Sequence, residues 1–129
     1  MRHAIAVDFD GCLCQDRWPE IGEPNWPAIA ALLELQKRGV ALILNTCREG
    51  ELLEKAILWC EYRGLSFDAV NENLPERIEA YGGDCRKISA NEYWDDRAVR
   101  VRFDDYPYGK TYKKVFVGDL PKKLKEAAL

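Results

Sequence analysis

Ile5-Ala6-Val7-Asp8-Phe9-Asp10-Gly11 is a short apolar run that stops at two carboxylates one residue apart and then at a glycine. A strand alternates its faces with a period of two, so Asp8 and Asp10 leave its end on the same side. Gly11 supplies the backbone freedom that a tight strand-to-loop reversal demands. Two like charges this close call for a positive partner, and hard carboxylate oxygens suit magnesium.

Working outward, Cys12 to Asn25 reads as a long loop rich in Pro, Gly, Trp and Glu, a length that often accompanies function. Asn25 is a good N-cap for a helix opening at Trp26-Pro27-Ala28-Ile29, with Ile29, Leu32 and Leu33 on its apolar face and Gly39 at its stop. Val40 to Leu44 is a continuous apolar run, the pattern of a strand buried on both faces, and it ends at Asn45-Thr46-Cys47-Arg48. Leu53, Ala56, Ile57 and Cys60 mark a second amphipathic helix, with Gly64 beyond it. Leu65 to Val70 is expected as a strand, Asn71 to Pro75 as a turn and Glu76 to Tyr81 as a short helix before Gly82-Gly83. Glu92 to Trp94 is a further short strand, and it too ends on acids, Asp95-Asp96.

This alternation predicts an α/β protein of three layers, a doubly wound, Rossmann-like and mostly parallel sheet with helices on both faces. Sites in such sheets lie at the carboxyl ends of the strands. Further on, Val99, Val101 and Phe103 alternate with Arg100 and Arg102, and Tyr106-Pro107-Tyr108-Gly109 reads as a turn before Tyr112 to Val117. That stretch predicts a β-hairpin-like extension, followed by a terminal helix from Pro121. The 129 residues suit one domain, residues 1–129, with a single core.

A formal net charge of -3 argues against a nucleic-acid binder held by phosphate contacts, while leaving room for a small phosphorylated substrate. Five cysteines at 12, 14, 47, 60 and 85 contain no CxxC pair, and His3 is the sole histidine, so zinc is disfavoured. Reduced thiols and an N-terminus without a signal-peptide core lead us to expect a cytoplasmic protein. No apolar run is long enough to suggest a membrane partner. The alternation near Val99 to Phe103 is a candidate interface for a homo-oligomer.

The residues just past the strand ends are Asp8 and Asp10, then Thr46 and Arg48, then Asp95 and Asp96, with Lys87 before the last strand. Right-handed crossovers bring such positions to one rim. Carboxylates, a lysine and a hydroxyl together suit a phosphoryl dianion held by Mg2+. Asp8 is placed to be the nucleophile, giving an aspartyl-phosphate, and Asp10 to protonate the leaving oxygen and then activate water. Thr46 would hydrogen-bond a phosphoryl oxygen, and Lys87 would neutralise developing charge. Asp95 and Asp96 would complete a metal shell begun by Asp8 and the Asp10 backbone carbonyl.

In these motifs the chain resembles the haloacid dehalogenase (HAD) superfamily of phosphohydrolases. The matching stretches are Ile5 to Gly11, Leu42-Ile43-Leu44-Asn45-Thr46, Lys87, and Tyr93-Trp94-Asp95-Asp96-Arg97, in the order of the family's four motifs. Pro19 to Pro24, Cys47 to Glu51 and Lys87 to Asn91 resemble more particularly a group of short bacterial and phage HAD-like hydrolases. The resemblance implies a HAD fold and a magnesium-dependent phosphomonoesterase. No insertion is large enough for a full cap domain, which is similar to the capless type. Cys12 stands where the superfamily commonly has Thr or Val, and Trp94 is bulky for its place, but neither removes a catalytic group.

Each residue also has a structural reading. Asp10-Gly11 alone would be a turn, Thr46 a helix cap, and Arg48 either a substrate contact or a helix-start residue. Lys87 competes with Arg86, and its place eight residues before Asp95 favours it. Val115-Phe116-Val117-Gly118-Asp119 also resembles the fourth motif, although N-capping explains Asp119 before Leu120-Pro121. Cys12 and Cys14 lack a histidine base for a thiol nucleophile. The competing function is a non-catalytic phosphoacceptor, phosphate-binding or assembly module that retains the fold. A receiver domain fits less well, because Leu44-Asn45-Thr46 carries no acid.

Overall fold

The apolar run before Asp8 is strand β1 (Ala4–Val7), and all four of its residues are buried. The structure, a computed structural model, describes residues 1–104. After β1 come β2 (Cys14–Arg17), β3 (Glu20–Pro24), α1 (Trp26–Lys37), β4 (Ala41–Leu44), α2 (Gly50–Tyr62), β5 (Ala69–Val70), α3 (Pro75–Tyr81) and β6 (Glu92–Trp94). The central sheet has the order β5-β4-β1-β6, and each of its pairings is parallel. A mixed α/β fold with a parallel central sheet is therefore what the chain adopts. Met1–Asp96 forms one compact unit, and Arg97–Leu129 a second, described only for residues 97–104.

Period-two alternation divides the core between the two faces of the sheet. Ile5, Val7, Leu42 and Leu44 pack with Phe9 against Ile29 and Leu32 of α1 and Ala56 and Cys60 of α2. The opposite face is lined by Ala4, Ala6, Ala41, Ile43 and Ala69, and receives Leu74 and Ile88. Each fully buried leucine or isoleucine contributes about 1.5–3 kcal/mol.

Helix α1 begins at Asn25 as expected, but the Asn25 side chain does not cap it. Its Nδ2 donates instead to the Cys12 carbonyl at 2.8 Å, tying the helix start to the turn after Asp10. Gly39, at φ +90°, ends the helix, and Val40 donates back to Leu35.

Three expectations change. Cys12 to Asn25 is not a plain loop, because β2 and β3 pair as an antiparallel hairpin. Only Cys14 of β2 is buried, so no apolar alternation marks the strand. The strand expected over Leu65 to Val70 shrinks to Ala69–Val70. Asp68 takes over the pairing there, its N–H donating to Leu42 O and its carboxylate accepting the Leu42 N–H. No strand is formed within residues 97–104. The remaining parts of that extension, Tyr112 to Val117, Asp119 and the helix from Pro121, lie outside the described residues. Among the described residues no helix is long and apolar enough to cross a membrane.

Candidate active site

The ends of three neighbouring strands are locked level. The Asp8 N–H donates to Trp94 O at 2.9 Å, and the Asn45 N–H donates to Val7 O at 2.8 Å. Asp8, Asp95 and Asp96 therefore meet at the carboxyl end of β1 and β6. Each offers a carboxylate oxygen, and these oxygens all lie within 4.8 Å of one another. Such a set can hold a hard cation.

Burial pushes the Asp8 carboxyl up to about 6, and the charges of Asp95, Asp96 and Asp10 add to the rise. A hydrogen bond from the Phe9 N–H, 2.8 Å from Asp8 Oδ1, opposes it. Gly11 sits at φ +83°, and a Cβ there would collide with the Asp96 carboxylate. Cys12 also faces the cluster. Burial first, then Asp8, Asp96 and Asp95, push its thiol up to about 12, and it donates to Trp94 O at 3.6 Å.

Asp10 emerges two residues after Asp8 but is not part of the three-carboxylate cluster. Its two oxygens accept from Arg48 Nε and Nη2, each at 2.8 Å. Arg48 is 3 % exposed. It also donates to the carbonyls of Pro19, at 3.1 Å, and Glu20, at 3.0 Å, at the turn of the β2–β3 hairpin. Four of its five N–H donors are thus engaged, which leaves a substrate one at most.

Thr46 follows β4, and its N–H is held by Asn71 Oδ1 at 2.8 Å while its Oγ1 accepts the Arg48 N–H at 3.1 Å. Its hydroxyl proton can then point to a ligand. Asp8, Asp10, Thr46, Arg48, Asp95 and Asp96 are accordingly gathered around one rim.

Lys87 stands differently. Its ammonium lies over the Tyr93 ring, 5.4 Å from the centroid, in a cleft of about 650 Å³ lined also by Tyr81, Cys85, Ile88 and Ser89. The segment carrying it is fixed by buried Asn73, whose Nδ2 donates to Asp84 Oδ1 and Cys85 O and whose Oδ1 accepts the Ser89 N–H.

Sequence reasoning missed Asn71, Asn73 and the hairpin carbonyls that engage Arg48. Asn71 carried a faint signal, since asparagine just after a strand tolerates the left-handed backbone it adopts, φ +52°. No short-range pattern marks the others.

No protein-family model and no curated protein matches this chain. A solved structure of a conserved protein from Bacteroides thetaiotaomicron is 45% identical, over 76% of this chain and 78% of that one, with a TM-score of 0.67. The chain belongs to that protein's family. The TM-score shows that the likeness extends to the backbone.

Proposed function

We propose that this chain is a magnesium-dependent phosphatase with a HAD-type fold, hydrolysing a phosphomonoester through Asp8. The observation that carries the reading is the meeting of Asp8, Asp95 and Asp96 at the end of the central strand, with the Thr46 hydroxyl on the neighbouring strand end. The order of the four sequence motifs and the flanking of β1 by β4 and β6 support it.

An all-oxygen, triply acidic donor set fits magnesium, and Asp8, Asp95 and Asp96 would hold it together with the Asp10 backbone carbonyl. When bound, magnesium would neutralise phosphoryl charge and favour the ionised form of Asp8. Asp8 attacks phosphorus, and the bond to the leaving oxygen breaks as Asp10 delivers a proton to it. Asp10 then takes a proton from water, which attacks the aspartyl-phosphate and releases inorganic phosphate and Asp8. Thr46 donates its hydroxyl proton to a phosphoryl oxygen while Asn71 steadies its backbone. Lys87 neutralises charge once its flexible stem swings off the Tyr93 ring.

The test is phosphate release from an aryl phosphate with and without magnesium, comparing the parent with Asp8→Asn. Turnover that needs magnesium and vanishes in the variant supports the reading. Equal rates in the two proteins, or none over a broad phosphoester panel, would overturn it. Phosphate binding without turnover would point to the non-catalytic module instead.

A further inference from the structure

A buried arginine joins three parts of this rim that are far apart in sequence. Arg48 grips both oxygens of Asp10, takes the Pro19 and Glu20 carbonyls of the hairpin turn, and donates its own N–H to Thr46 Oγ1. Its guanidinium carbon lies 5.1 Å from the centre of the Phe9 ring, the residue between the two acids. The planar fork therefore fixes a direction as well as a charge. Stability alone is a weak reason for such an arrangement, because a buried ion pair is often replaceable by apolar packing at no loss.

We propose that Arg48 is a positioning residue for proton transfer, holding the Asp10 carboxylate apart from the Asp8–Asp95–Asp96 cluster and coupling its placement to the β2–β3 hairpin. The inference rests on the phosphatase reading above. It assigns the hairpin a part in the reaction: the two carbonyls at its turn orient the guanidinium, and the guanidinium orients the acid. Proton delivery matters most when the leaving oxygen is basic, so the effect of disturbing Arg48 depends on the leaving group.

The experiment measures kcat and KM for a nitrophenyl, a phenyl and a simple alkyl phosphate in the parent, Arg48→Ala, Arg48→Lys and Gly22→Ala. Gly22 lies in β3, and a Cβ there would collide with the Gln15 carbonyl oxygen of β2. Gly22→Ala thus disturbs the hairpin without replacing any proposed reacting group. For Arg48→Ala, kcat on the alkyl phosphate falls on the order of a hundredfold, the scale of a 1 Å misplacement. The fall on nitrophenyl phosphate is much smaller. Arg48→Lys restores part of the loss, and Gly22→Ala shows the same leaving-group dependence in weaker form.

A loss equal across the three esters in folded Arg48→Lys would overturn the positioning role, as would unchanged kcat. Gly22→Ala with parental leaving-group dependence would overturn the coupling to the hairpin. If Arg48→Ala does not fold, Arg48→Lys and Gly22→Ala carry the decision. A parent protein inactive on all three esters would sink the phosphatase reading and this inference with it, whereas an active parent with uniform losses sinks this inference alone.

Discussion

Gly11 and Asp96 share one space: the position a Cβ would take on residue 11 is filled by the Asp96 carboxylate. The glycine after the acid pair therefore serves the second acid of the last motif, 85 residues downstream, as well as its own turn. Gly11→Ala meets a left-handed backbone and a collision together. We expect a loss of at least about 1 kcal/mol in denaturant unfolding, and a weaker response of Tm to magnesium because Asp96 is displaced. Unchanged stability and an unchanged magnesium response would contradict this.

Asp8 gives a pH dependence of defined sign. Its carboxyl is raised from 3.8 to about 6, so between those values the folded state binds more protons than the unfolded state. Without metal, stability from this group falls as pH rises through that window and stays low above it. Asp8→Asn removes the cost, so the variant is more stable than the metal-free parent at pH 7 by about 1–2 kcal/mol after allowance for partial exposure. The advantage disappears near pH 4, which thermal melts at the two pH values would check.

Adding magnesium should reverse that order. Binding to the folded state alone raises stability by roughly 2.7 kcal/mol at a hundred times Kd. The parent Tm therefore climbs with magnesium, while Asp8→Asn and Asp95→Asn respond much less. A parent melt indifferent to millimolar magnesium would remove the cation from the account.

Asn71 performs two tasks that substitution can separate. It adopts φ +52° and accepts the Thr46 N–H through its side chain. Asn71→Gly keeps the backbone and loses the acceptor, whereas Asn71→Ala loses both. We expect Ala to cost about 1 kcal/mol more than Gly in unfolding, with kcat reduced in both because Thr46 is released. Equal stabilities would show that the backbone is not under strain.

What could be read from the chain follows from how local its causes are. The buried run of β1, the all-apolar β4 and the periodic faces of α1 and α2 are written in consecutive residues. So is the short strand Glu92–Trp94 ending on acids. The meeting of Asp8, Asp95 and Asp96 follows from their places just past the ends of parallel strands. Arg48 does not, because its partners are Asp10 and two backbone carbonyls of a hairpin that lacks apolar alternation. Lys87 was legible as a position beside the last strand, but its side chain turns to Tyr93 for reasons of side-chain contact that no motif records. Asp68 shortened an expected strand by using its carboxylate in place of a main-chain partner.

The two faces of the central sheet differ in the size of what covers them. On the side of α1 and α2 the strands present Ile5, Val7, Leu42 and Leu44, and there a substitution is a question of volume. On the other side four of the five strand residues are alanines, Ala4, Ala6, Ala41 and Ala69 beside Ile43, and Ile88, next to Lys87, packs in the same cluster. Because Ile88 packs in one cluster with these residues, the Lys87 segment is tied to the sheet face opposite α1 and α2. A methyl group added at buried Ala6 would overpack this face at a cost of about 1–3 kcal/mol, and the strain would fall beside the segment that carries Lys87.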